Sequence, residues 1–255
     1  MMPESQYIKY AEEAVCAAAE KLKKARAEIG RAVGVEEGGR EVKLLADQVA
    51  NEILVEALKK TGLPILSEET GLMFGTDRES AMQWVIDPLD GSVNYLRGIG
   101  YCAVSVGLCD QGRPVAGVVY DLLRDELVTG IVGRGATAGG RVIAPSRCRD
   151  MKEVVLATGF PARMSFDEKN LGEYVKKITA FNKVRMFGSA VQSCLAVADG
   201  RMDAYFEQDI MLWDVAAGLA LIEASGGCWT WRAGSREFSK VVWACCPGLK
   251  NVQML

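Results

Sequence analysis

Histidine is absent from all 255 residues. That excludes Ser-His-Asp and Cys-His nucleophilic catalysis, His-ligated zinc and imidazole general bases. Hydrolytic chemistry in such a chain must rest on carboxylates, hydroxyls and a hard, oxygen-loving metal. No stretch approaches the roughly 18 uninterrupted apolar residues of a membrane span. The N-terminus MMPESQYIKYAEEAV also carries charge where a signal peptide needs an apolar core, so the expectation is a soluble, cytoplasmic protein. Eight cysteines, at positions 16, 102, 109, 148, 194, 228, 245 and 246, include no C-x-x-C pair and lie mostly in apolar segments. Buried free thiols therefore outrank disulfides or zinc. Thirty basic and 33 acidic residues are interspersed, for a net charge of −3, leaving no broad basic surface. Neither a nucleic-acid nor a membrane partner is expected. A Walker A lysine motif is missing, which argues against an NTPase. The glycines of GRGATAG (133–139) have the wrong spacing for a dinucleotide loop and precede RVIAP rather than a helix, so they read as a hairpin.

What is present is a large apolar fraction, 49%, enough for a substantial core. Ile8, Ala11, Val15, Ala18 and Leu22 recur at helical spacing and predict an amphipathic helix from Ser5 to about Ile29. A Gly-rich charged loop, Gly30 to Arg40, follows. A second helix is predicted from about Ala46 to Lys60, then a short buried strand, LPIL, at 63–66. Runs at 103–108, 114–120 and 126–131, separated by turns, predict an antiparallel meander. Beyond about Asp150, strand and helix alternate: VVLAT, a charged helix from about Asp167 to Phe181, VRMF, a helix through AVQSCLAVA, DAYF, a helix from Asp214, then CWTW and VVWACC. The expectation is an α+β first half, 1–148, joined to an α/β second half, 149–255.

The stretch WVIDPLDGSVNY (84–95) places two carboxylates three residues apart at the end of an apolar run. Pro88 biases Asp87 toward an extended conformation and is expected to end the strand; Gly91 permits a tight turn into a helix. Two convergent carboxylates repel unless a cation lies between them, and Mg²⁺ suits an all-oxygen set. Standing alone, D-x-x-D-G reads equally as a capped surface turn. An EF-hand is excluded because Gly98 falls where its twelfth-position Glu belongs. Acids also end apolar elements in LPILSEET (Glu68 and Glu69) and LWDVAAG (Asp214), and Asp47 lies in ADQVANEIL.

Taken in order, ADQVANEIL, LPILSEET, WVIDPLDGSVNY, RMFGSAVQ and LWDVAAG resemble the inositol monophosphatase family, Mg²⁺-dependent and lithium-sensitive phosphatases, over roughly residues 8–245. The resemblance implies a layered αβαβα sandwich. It implies that Glu68, Asp87 and the Leu89 carbonyl hold one Mg²⁺, that Asp87, Asp90 and Asp214 hold a second, and that Glu68 helps place a third; Mn²⁺ would substitute and Li⁺ inhibit. Ser92, where the family has Thr or Ser, would work with Asp47 to orient and deprotonate the attacking water. Backbone N–H groups of Gly91 and Ser92 would meet the phosphate. Asp90, Asp214, Gly188, Ser189, Ala190 and Glu207 would line the substrate site, although Glu207 also reads as a surface acid ending its strand.

The implied activity is phosphomonoester hydrolysis of a small polyol or sugar phosphate by a homodimer. A 3′(2′),5′-bisphosphate nucleotidase, a fructose-1,6-bisphosphatase-like enzyme and a pathway-specific sugar phosphatase are the alternatives. DGSVNY lacks the Lys-Glu pair usual after D-G-T in the nucleotidases. Some relatives assist bacterial transcription complexes, so a non-catalytic binding partner is the rival of another class. Two departures stand out: Leu44, beside Lys43, replaces a common Thr three residues before Asp47, and the loop Gly30 to Arg40 carries no family signature.

Overall fold

A computed structural model of the chain describes residues 4–26, 45–77, 80–161, 164–252 and 254. The loop Gly30 to Arg40, Lys43 and Leu44 lie outside the described residues. Helix α1 (Glu4–Ala25) buries Ala11, Val15, Ala18 and Leu22, and α2 (Leu45–Lys59) buries Ala46, Ala50, Leu54 and Leu58, four residues apart along one face. This spacing keeps each apolar set on one stripe, and the two helices pack together against one face of a sheet.

That sheet has eight strands in the order β2-β1-β3-β4-β5-β6-β7-β8. They are β1 (Ile65–Ser67), β2 (Gly71–Met73), β3 (Met82–Asp90), β4 (Ala103–Asp110), β5 (Arg113–Asp121), β6 (Glu126–Ile131), β7 (Gly135–Ala138) and β8 (Arg141–Val142). β1 and β3 run parallel, and the other neighbours are antiparallel, including the meander β4–β6 and the glycine hairpin β6–β7. Side chains alternate across the sheet. Trp84, Ile86, Val104, Val106 and Leu108 face α1 and α2, while Val85, Ala103 and Val119 face the interior layer.

The second sheet, in the order β10-β9-β11-β13-β12, is built from β9 (Val155–Thr158), β10 (Lys183–Arg185), β11 (Ala204–Met211), β12 (Cys228–Ala233) and β13 (Ser239–Cys245). β9 is parallel to both its neighbours. Between the sheets lie α5 (Ala190–Ala198) and α6 (Leu212–Ser225). A short helix, α3 (Ser92–Arg97), precedes β4, and α4 (Glu168–Ile178), capped by Asp167, covers the outer face of the second sheet through Tyr174, Ile178 and the following Phe181. The layers are therefore αβαβα, as the resemblance implies.

Small residues set the spacing of the middle layer. A Cβ on Gly117 would fall 2.2 Å from the Ala217 carbonyl oxygen, and one on Gly218 would fall 2.4 Å from Cys194 Cβ. The A-A-G of LWDVAAG thus lets α6 lie directly on β5 and against α5, which fixes the position of Asp214 in its first turn. Two expectations need correction. Pro88 does not end its strand, because β3 runs on to Asp90; and the strand carrying DAYF continues to Met211, so Glu207 lies within β11 rather than at a surface end.

Candidate metal centre and adjoining pocket

The two carboxylates of IDPLD converge because of a bulge. Along β3, Asp87 pairs with Ser105 and Asp90 with Ala103, so Pro88 and Leu89 together oppose Val104. Residues three apart on a regular strand point to opposite faces; one extra residue restores them to the same face. Pro88, which has no N–H to offer a ladder, sits where the ladder is interrupted. Leu89 turns into the α1–α2 core, while Asp87 and Asp90 emerge toward α5 and α6.

Parallel pairing of β1 with β3 sets Ser67 beside Ile86, so the next residue, Glu68, arrives beside Asp87. From the other side, Asp214 in the first turn of α6 accepts the Met211 N–H at 3.0 Å. Carboxylate oxygens of Glu68, Asp87 and Asp214 all lie within 4.8 Å of one another. Asp87 is only 1% exposed. Burial, then repulsion from Glu68, Asp90, Asp214 and Asp47, holds its carboxyl well above the usual range. Asp214 is raised for the same reasons, burial first and Glu68 next. Glu68, at the solvent-facing mouth, is pushed up to about 7 by desolvation and by the charges of Asp47 and Glu69. A cluster of oxygen donors that resists ionising together fits a hard divalent cation such as Mg²⁺.

Asp90 stands beside this triad rather than within it. Its Oδ2 accepts the Ser189 hydroxyl and the Val191 N–H (2.7 Å) at the start of α5, while desolvation lifts its carboxyl to about 6. Asp47, 5% exposed on α2, accepts a 3.0 Å hydrogen bond from Ser92 Oγ, which also lies 2.9 Å from the Leu89 carbonyl. The two sequence-predicted partners are thus brought together across 45 residues of chain. Gly91 has φ of 81° and a Cβ there would fall 2.6 Å from the Tyr101 carbonyl oxygen, so only glycine fits the turn. Asn94, which sequence reasoning passed over, donates to Tyr101 O (2.8 Å) and Phe187 O (2.7 Å) and so ties α3 to the segment entering Gly188. The Glu69 N–H donates to Ser67 Oγ at 3.2 Å, which fixes the backbone just after Glu68.

A cavity of about 280 Å³ opens beside the acids. The expected Asp90, Gly188, Ser189, Ala190, Glu207 and Asp214 all line it, joined by Thr158, Gly159, Phe160, Ser193 and Ile210. The signal for the missed T-G-F was its place after a buried strand, since pockets form at the carboxyl ends of parallel strands. Gly159 makes room for the acid: a Cβ there would sit 2.7 Å from Glu207 Oε1. Burial raises Glu207 to about 8, against the hydrogen bond donated by Tyr205 OH at 2.9 Å. The shift favours the protonated form, a carboxyl group that can both donate and accept.

The sequence model of the inositol monophosphatase family matches residues 4–250. The chain belongs to the inositol monophosphatase family. A "Nus factor SuhB" of Xylella fastidiosa is 40% identical over 187 residues, covering 71% of this chain and 66% of that protein. The chain thus matches just under two thirds of that relative's length. Among solved structures, the extragenic suppressor protein suhB of Bartonella henselae superposes with a TM-score of 0.82 at 29% identity, covering 95% of this chain and 94% of that one. An inositol monophosphatase from Anabaena gives 0.78 at 29% identity, with 96% and 92% covered. In this inositol monophosphatase family member, the acid cluster therefore stands in a fold whose relatives are typically metal-dependent. No helix among the described residues is long and apolar enough to cross a membrane.

Proposed function

We propose that this chain is a Mg²⁺-dependent phosphomonoesterase acting on a small polyol or sugar phosphate of the inositol monophosphate kind. The observation that carries the reading is the joint placement of three converging carboxylates, the Asp47–Ser92 pair and a polar-lined cavity at one edge of the middle layer. Glu68, Asp87 and the Leu89 carbonyl would hold one Mg²⁺, Asp87, Asp90 and Asp214 would hold a second, and Glu68 would help place a third. Bound Mg²⁺ would supply Lewis acidity and offset the charge of the phosphoryl group. Ser92 Oγ orients the attacking water, whose proton passes to Asp47. Gly91 and Ser92 offer N–H groups to the phosphate, and Glu207 with Ser189 meets the hydroxyls of the alcohol. The halves 1–148 and 149–255 would contribute complementary parts: Glu68, Asp87 and Asp90 from the first, Glu207 and Asp214 from the second. A homodimer inhibited by Li⁺ and accepting Mn²⁺ completes the proposal.

Side-by-side Mg²⁺-dependent phosphate release from inositol 1-phosphate, hexose phosphates, fructose 1,6-bisphosphate and adenosine 3′,5′-bisphosphate tests it. Preference for the polyol is the expected result; preference for either bisphosphate would move the assignment to the nucleotidase or fructose-bisphosphatase reading. The relative's name, Nus factor, favours a second role and cuts against the expectation of no nucleic-acid machinery among the partners. Retention of transcription complexes from lysate by an Asp87→Asn variant as well as by wild type would support that role as separate from catalysis.

A further inference from the structure

Away from the cavity, two cysteines face each other at the rim of the second sheet. Cys228 opens the edge strand β12, Cys245 closes β13, and the antiparallel register pairs them directly. Directly opposed residues of such a pair have Cα atoms about 4.5–5.5 Å apart, inside the span a disulfide bridges. Their Sγ atoms are already 3.5 Å apart. Cys228 is half-buried and open to a small reagent, whereas Cys245 is buried beneath it. The neighbouring Cys246 turns away, its thiol donating to the Cys148 carbonyl at 3.3 Å. A thiolate metal site is disfavoured, because the one set of three or more close ligands found among the described residues is the acid cluster. The hydrogen bond shared with Cys245, aided by the charge of Lys250 and opposed by desolvation, draws the Cys228 thiol down to about 7, which favours its attack on an oxidant, and the Cys245 sulfur stands in place to resolve the product.

We infer that Cys228 and Cys245 form a reversible redox site whose oxidant is a hydroperoxide and whose oxidised form is a cross-strand disulfide. In the first step the Cys228 sulfur attacks the terminal oxygen of the peroxide. An S–O bond forms, the O–O bond breaks, and with the thiol's proton the products are Cys228 sulfenic acid and water or an alcohol. The Cys245 sulfur then attacks the Cys228 sulfur; the S–S bond forms, the S–O bond breaks, and the hydroxyl leaves with the Cys245 proton as water. Two thiols have then given two electrons to the peroxide, and a dithiol reductant returns the pair.

The full chain, treated with a modest excess of hydrogen peroxide and digested with trypsin without reduction, decides the matter by mass spectrometry. The expected product joins peptides 202–232 and 241–250, two hydrogens lighter than their sum, and disappears with dithiothreitol. Peptide 241–250 holds both Cys245 and Cys246, so Cys246→Ser should keep the cross-link, while Cys245→Ser should lose it and leave Cys228 sulfenic acid trapped by dimedone. Oxidation should also raise Tm by several degrees in wild type, by closing the β12–β13 loop, and not in Cys228→Ser. Loss of the cross-link in Cys246→Ser, or conversion of wild-type Cys228 to sulfinic acid with no cross-link, would overturn the inference. Should Cys245→Ser fail to fold, the wild-type and Cys246→Ser digests still give the answer.

Discussion

Replacing Asp87 with Asn is expected to stabilise the metal-free protein while weakening its stabilisation by Mg²⁺. The Asn side chain keeps an oxygen to accept the Leu89 N–H, which reaches Asp87 Oδ1 at 3.1 Å, and removes one charge from a set whose oxygens lie within 4.8 Å. Two like charges at that separation repel by about 3.5 kcal/mol at an effective dielectric of about 20 and by about 0.9 kcal/mol in water. Glu68 opens to solvent, so the gain falls between these limits, about 1–3 kcal/mol, or several degrees in Tm. The size of the effect depends on pH. Asp87 is raised in the folded state, so the native protein keeps a proton that the unfolded chain releases above its ordinary 3.8. Wild-type stability is fullest below that value and declines as pH rises, so the advantage of Asn is small in acid and largest at neutral to mildly alkaline pH. Mg²⁺ reverses the order: at a hundredfold excess over Kd it stabilises wild type by about 2.7 kcal/mol, and the variant, short of one ligand, gains less. Thermal melts in EDTA and in excess Mg²⁺, across a pH series, measure both arms. A variant that melts below wild type in EDTA at neutral pH, or gains as much from Mg²⁺, would refute the reasoning.

Ser92→Ala should lower kcat for phosphate release about a hundredfold or more, whereas Ser92→Thr, which keeps the hydroxyl against Asp47, should stay close to wild type in the same steady-state assay. Gly91→Ala should cost about 1–3 kcal/mol in urea unfolding, because the new Cβ meets the Tyr101 carbonyl at 2.6 Å and φ is 81°. Glu207→Gln should flatten the pH dependence of stability. With Glu207 raised from 4.5 to about 8, its contribution is full below pH 4.5 and is lost as pH rises toward 8. The slope that urea midpoints should show disappearing is at most about 1.4 kcal/mol per pH unit.

The helices and the meander were legible because their apolar spacing is local: Ala46, Ala50, Leu54 and Leu58 mark one face of α2 without reference to any other segment. The αβαβα layering and the convergence of Glu68, Asp87 and Asp214 were signalled by motif order rather than by periodicity. Pro88 was misread because a bulge belongs to a pair of strands, and the register of β4 against β3 cannot be seen in IDPLD alone. Glu207 was ambiguous for a related reason: the length of β11 depends on its pairing with β13, which continues past the glutamate through a register shift to Met211. The T-G-F wall of the cavity went unnoticed because it reaches Glu207 only through the parallel alignment of β9 with β11, across about fifty residues of sequence.

The most direct test of the account is phosphate release from inositol 1-phosphate as Mg²⁺ is raised from zero, with Asp87→Asn assayed beside wild type. Saturable, Mg²⁺-dependent turnover is expected in wild type, abolished by EDTA and lost in the variant even at high Mg²⁺. Turnover that persists without metal, or that survives undiminished in Asp87→Asn, would contradict it.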